Sequence, residues 1–173
     1  MNQVLSRFLD FARAKPGEQE IVDLVREVGT VVELMTNQKD IPQLVTNLPQ
    51  ECLVRGNAEQ VRQILVNLIL NAAAMSGPNS PITITVETVE STGRLKVTDQ
   101  GPGFTSEAVE NFGTPFFSTR QEGTGLGLAT SLRTAENMNG SLWVADDLNI
   151  GACVVLSLGL DSGTANKTES EQN

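Results

Sequence analysis

The run AEQVRQILVNLILNAAAM is apolar on nearly every side of a helix, so whatever fold contains it must wrap it in other elements. Asn57 can cap this helix, with Gln60 at the third helical position giving a capping-box-like start, and Ser76-Gly77-Pro78 ends it after Met75. Two amides are set into that apolar run. Asn67 and Asn71 lie four apart, hence on one helix face, among Ile64, Leu65, Leu68, Ile69, Ala72 and Met75. An unpaired buried amide costs about 1 to 3 kcal/mol. Either the core satisfies both, or they line a cavity in which a ligand does.

The cover for the helix can be read from its neighbours. A strand-like EQEIVDL leads into a helix from about Asp23 to Gln38, with Leu24, Val28, Val31, Val32 and Met35 on one face. Extended pieces follow near residues 43–48 and 52–55, parted by the turn Pro49-Gln50-Glu51. Beyond the long helix, ITITVETV alternates and RLKVTD follows Ser91-Thr92-Gly93, giving a hairpin that runs into DQGPGF. A short helix over residues 105–112, a loop over 113–122 and a helix over 124–138 come next, and SLWVA with ACVVLSL forms a last hairpin. Helices and antiparallel hairpins without regular βαβ alternation predict an α+β fold: a two-layer α/β sandwich, with helices on one face of a mixed, mostly antiparallel sheet.

Charge and composition remove several functions. A formal net charge of -9 argues against a nucleic-acid binder or a polybasic membrane-surface protein. No run reaches the roughly 20 apolar residues of a membrane span, so no membrane contact is expected of this segment. Cys52 and Cys153 show no metal-ligand spacing and sit in strand-like segments, which fits buried free thiols and a reducing, cytoplasmic setting. The chain contains no histidine, which excludes histidine bases, histidine-ligated zinc and Ser-His-Asp triads within it.

Three further features bear chemistry. Asp99 ends a strand and opens a loop containing Gly101 and Gly103, so its carboxylate can cap that turn or accept a hydrogen bond from a ligand. Gly123, Gly125 and Gly127 alternate at the start of a helix, where bare N–H groups and the positive helix end suit a phosphate; a tight helix start explains them equally well. Arg120 stands in a loop with Phe112, Phe116 and Phe117, placed either to serve a terminal phosphate from a lid or simply to face solvent.

The ordered set is more specific than its members. From about Glu20 to Leu160 the chain resembles the catalytic, ATP-binding domain of sensor histidine kinases, in the superfamily shared with gyrase and mismatch-repair ATPases (the Bergerat fold). EQVRQILVNLILNAA resembles the N box, DQGPGF the first glycine box, FGTPFFSTR the phenylalanine box and GTGLGLA the second glycine box. The PFFSTR wording looks most like kinases of the nitrogen-regulation type.

The resemblance implies ATP and Mg2+ as cofactors, Asn71 as the Mg2+ ligand and Asp99 as acceptor for the adenine amino group. It also implies Gly101 and Gly103 beside the base and Gly125 and Gly127 at the phosphates. Phe117, Thr124, Leu126 and Leu128 belong to the same nucleotide-binding boxes, and Asn67 and Arg120 would assist catalysis. Residues 1–16 resemble the end of a dimerisation-hairpin helix, residues 17–160 the catalytic domain, and residues 161–173, almost free of apolar side chains, a disordered tail. The chain departs from common wording at Ala74, where many relatives carry a basic residue, and at Asn139, where His-Gly-Gly becomes Asn-Gly-Ser.

An acceptor imidazole is already nucleophilic, whereas serine or water must lose a proton, and relatives that use those carry a glutamate where this chain has Asn67. An amide cannot be that base. The expectation is therefore phosphoryl transfer to a histidine outside this chain, with a histidine-bearing dimerisation domain and a response regulator as partners and a homodimer as the intact protein. A nucleotide-binding regulatory module without transfer is the alternative, and an anti-sigma-type serine kinase a weaker one.

Overall fold

The computed structural model describes residues 17–36, 38–119, 123–145 and 151–161. Strand β1 (Glu20–Asp23) runs directly into helix α1 (Leu24–Met35), because Asp23 caps it: Oδ1 accepts from Val25 N at 3.1 Å and from Cys52 N at 3.0 Å. Strands β2 (Leu44–Asn47) and β3 (Leu53–Gly56) precede α2 (Ala58–Met75). The hairpin β4 (Ile82–Val89) and β5 (Thr92–Thr98), short α3 (Ser106–Glu110), α4 (Gly127–Asn137), β6 (Ser141–Val144) and β7 (Cys153–Gly159) complete the order.

The main sheet has five strands in the order β2-β4-β5-β7-β6. Only β2 against β4 is parallel; the other neighbours are antiparallel. This is the expected mixed, mostly antiparallel sheet. Alternation sets which face is dry: Ile82, Ile84, Val86, Leu95, Val97, Val154, Leu156 and Leu158 point into the core, while Thr83, Thr85 and Lys96 are only partly covered. Helices α1, α2 and α4 cover that face. Leu24 and Val28 of α1 and Ile64, Leu65 and Ile69 of α2 are fully buried there, each such side chain contributing about 1.5 to 3 kcal/mol by leaving water.

Several expectations are refined. The pieces near 43–48 and 52–55 do not pair with each other: β2 joins the main sheet, and β3 pairs antiparallel with β1 in a separate two-stranded sheet. Asn57 accepts from Gln60 N at 3.0 Å as a cap should, but its own N–H goes to Met138 Sδ at 3.3 Å, so the end of α4 stands where a reciprocal capping contact was expected. Cover of α2 is incomplete, with Leu70 40% exposed on its outer side. Both cysteines are buried free thiols, and burial pushes the Cys52 thiol up from its ordinary value. Asp161, expected to begin the tail, is held to the body by its N–H, which donates to Leu53 O at 3.0 Å, and by an ion pair with Arg55. The helix expected before residue 17 and the tail beyond residue 161 lie outside the described residues.

Candidate functional site

Four chain segments meet at one end of the α2–α4 pair. The first is α2 itself. Asn67 and Asn71 are half-buried on the face turned toward α4. Asn67 Nδ2 donates to Ser131 Oγ on α4 at 3.3 Å. The Asn71 carboxamide makes no hydrogen bond among the described residues, and its Nδ2 would lie 3.9 Å from a Cβ at Gly127, the first residue of α4. The missing side chain at Gly127 thus leaves open the space in front of Asn71. Asn67 is tied to α4 through its Nδ2, and Asn71 has no such tie among the described residues.

The second segment is the loop after β5. Asp99 is 6% exposed, and both of its side-chain hydrogen bonds fall on one oxygen, Oδ1, which accepts from Gly101 N at 2.8 Å and Ala152 N at 3.3 Å. Oδ2 accepts none among the described residues. Burial raises the carboxyl above the ordinary aspartate value, and the two backbone N–H donors work against that rise. Asp99 therefore caps its own loop with one oxygen and holds the other in reserve. Gly101 is pressed against the end of α2, where a Cβ would stand 2.7 Å from Met75 O, and a Cβ at Gly103 would stand 2.7 Å from Gly151 O. Sequence reasoning missed this backing by Gly151 and Ala152. Backbone donors carry no side-chain signature, and the glycine at 151 was the only hint.

The phenylalanine loop and the second glycine cluster form one unit. Phe116 N donates to Gly125 O at 3.0 Å, and Gly125 has φ +66°, with room for no side chain because a Cβ would lie 2.7 Å from Phe117 N. Phe116 takes a positive φ of its own, 66°, and is 61% exposed, while Phe117 is half-buried. Leu126 is fully buried and wedges the turn into the core; Leu128 is partly buried against it. Thr124 carries a buried Oγ1 with no hydrogen-bond partner among the described residues. Arg120 lies outside the described residues.

The arrangement offers a carboxylate oxygen at one end and, at the other, an unsatisfied carboxamide, an orphan hydroxyl and the N-terminus of α4. The fit to a metal-bound nucleotide can be judged from these atoms. A carboxamide oxygen is a suitable hard ligand, and among the described residues no three His, Cys, Asp or Glu side chains gather as a separate metal-holding group. A cavity of about 460 Å³ bordered by Lys39, Asp40, Ile41, Leu70 and Ala73 lies on the other, outward side of α2 and includes none of these atoms.

Residues 56–162 match the model of the family described as histidine kinase-, DNA gyrase B-, and HSP90-like ATPase. Over 147 residues the chain is 32% identical to the sensor histidine kinase ZraS of Klebsiella oxytoca, covering 82% of this chain and 32% of that protein. It is 29% identical over 159 residues to sporulation kinase C of Bacillus subtilis, covering 86% of this chain and 37% of that protein. The chain thus spans well under half the length of these relatives. Among solved structures, the catalytic domain of histidine kinase ThkA superposes with a TM-score of 0.74 at 26% identity, covering 83% of this chain and 98% of that one.

Proposed function

Since the chain belongs to the histidine kinase-, DNA gyrase B-, and HSP90-like ATPases, we propose that it is the ATP-binding catalytic domain of a two-component sensor and passes the γ-phosphate of Mg-ATP to a histidine outside this chain. The observation that carries the reading is the division of labour across the cleft. Asp99 keeps a carboxylate oxygen uncommitted at one end, and Asn71 keeps a carboxamide uncommitted opposite Gly127 at the other. Neither atom is sealed from solvent, so a ligand can meet both without first breaking a hydrogen bond within the protein.

In this reading Asp99 Oδ2 accepts from the adenine amino group while Gly101 and Gly103 let the base approach. Gly125 and Gly127 present the start of α4 to the phosphates, where N–H groups and the helix dipole favour negative charge. Asn71 would hold Mg2+, which when bound neutralises charge on the phosphate oxygens. Asn67 supports the phosphate end, Thr124 offers its hydroxyl there, and Arg120 would bring a guanidinium from the lid. The protein's work is placement rather than covalent chemistry: it aligns the terminal phosphate for an imidazole that needs no base. The PFFSTR wording supports a kinase of the nitrogen-regulation kind, with a response regulator and a histidine-bearing dimerisation domain as partners and a homodimer as the intact form. No helix among the described residues is long and apolar enough to cross a membrane.

A regulatory module that binds ATP without transferring phosphate is the second reading, favoured by the absence of histidine from the chain. The two part on one experiment: γ-labelled ATP and Mg2+ incubated with this chain and a separately supplied histidine-bearing dimerisation hairpin. Acid-labile, alkali-stable label on the hairpin supports the kinase. Confirmed ATP binding with no label supports the module, and acid-stable label would indicate a serine kinase.

A further inference from the structure

Helices α2 and α4 run antiparallel, and their facing positions can be read in step. Asn71 faces Gly127; one turn back along α2, Asn67 faces Ser131, one turn forward along α4. The pairs differ in what fills the space between the helices. Opposite Asn71 there is no side chain, and the cleft stays open. Opposite Asn67 the Ser131 hydroxyl, on a residue only 1% exposed, accepts from Asn67 Nδ2 at 3.3 Å and closes it. A serine this deep costs stability unless it is hydrogen-bonded. Its neighbour Thr130 turns back on its own helix, donating to Leu126 O at 2.7 Å, so Ser131 is the α4 hydroxyl that reaches across.

That bond fixes which end of the amide the cleft meets. With Nδ2 held by Ser131, Asn67 offers its oxygen, which can only accept. A phosphate oxygen is also an acceptor and gains nothing there, whereas a metal-bound water donates. We infer that Ser131 is a positioning residue: by holding Asn67 Nδ2 it keeps the amide oxygen turned toward the water shell of the cation that accompanies the nucleotide. This rests on the nucleotide reading above. Once Ser131 is lost, the amide is free to turn and present its N–H groups to phosphate.

The test is calorimetric titration of the full chain with ATP, once in Mg2+ and once in EDTA, for the parent, Ser131→Ala, Asn67→Ala and the double variant. Ser131→Ala should bind ATP in EDTA as tightly as the parent or more tightly but lose about three- to tenfold of the strengthening that Mg2+ gives, the size of one neutral hydrogen bond. The double variant should lose no more than Asn67→Ala alone, because Ser131 acts through Asn67. Equal weakening of Ser131→Ala with and without Mg2+, or additive losses in the double variant, overturns the inference and leaves Ser131 a packing residue. Should Ser131→Ala fail to fold, Ser131→Cys, a weaker acceptor of similar size, must show the same selective loss of the Mg2+ effect, and parent-like behaviour overturns the inference. A parent chain that binds no ATP in either buffer overturns the nucleotide reading and this inference together.

Discussion

Replacing Asp99 by asparagine separates the two jobs of that carboxylate. The oxygen that accepts from Gly101 N at 2.8 Å and Ala152 N at 3.3 Å survives in the amide, so the loop after β5 keeps its cap. The other oxygen becomes an NH2 group, a donor set against the donor amino group of adenine. The expected loss is that of a hydrogen bond to a charged group, about 1.5 to 3 kcal/mol, or roughly ten- to a hundredfold in the dissociation constant for ADP. Asp99→Ala should be equally poor for nucleotide but should also cost stability, since two buried N–H groups lose their acceptor at about 1 to 3 kcal/mol each. A sharper consequence concerns the base. Guanine presents a carbonyl where adenine has its amino group, so Asp99→Asn should narrow the preference for ADP over GDP. Titration of both nucleotides into parent and variants, with urea unfolding of each, reads all of this. An Asp99→Asn variant that binds ADP within twofold of the parent refutes the reasoning, because it would mean that Oδ2 meets no ligand.

Asn71→Ala should abolish the Mg2+-dependence of ATP affinity, measured in Mg2+ and in EDTA, and leave the fold intact; an unchanged dependence sinks the metal role. Gly125→Ala forces a side chain into a φ of +66° and against the Phe117 backbone, a strain of about 1 to 3 kcal/mol; it should dislodge the phenylalanine loop and weaken ATP at least about tenfold, and parent-like binding would contradict that. Leu65→Ala, at a fully buried position, should cost about 2 to 5 kcal/mol in urea unfolding; a loss under 1 kcal/mol would contradict the packing described. Asp99 binds its proton more tightly folded than unfolded, so its stabilising contribution is full below the ordinary value of 3.8 and is lost as pH rises through the raised folded value. Across that window the stability of Asp99→Asn relative to the parent should therefore grow, and a flat difference would count against a raised value.

Legibility in the sequence followed the kind of interaction involved. Elements that rest on local pattern were plain: the alternation of ITITVETV, the apolar run of α2 and the Asn57 cap all lie where their residues place them. Partnerships between distant segments were not. Nothing in LVTN or LVRG says that the first joins β4 in parallel while the second pairs with β1, because strand pairing depends on where the intervening helix returns the chain. In the same way, Asn67 and Asn71 were visible as a pair, but their different fates were not: one meets Ser131 and the other a glycine, and that follows from the register of α2 on α4. Asp99 was legible as a residue at a loop mouth, and its two-sided use was hidden because one side is satisfied by backbone N–H groups, one of them from a segment 53 positions away.

The central claim is that nucleotide sits between α2, the loop after β5 and the start of α4, and backbone amide NMR of the full chain during titration with Mg-ADP tests it most directly. The account predicts the largest shifts at Gly101, Gly103, Gly125 and Gly127, with smaller ones on α2 near Asn67 and Asn71. Shifts centred instead on Lys39, Ile41 and Leu70, around the cavity on the outward side of α2, or no saturable shifts at all, would contradict it.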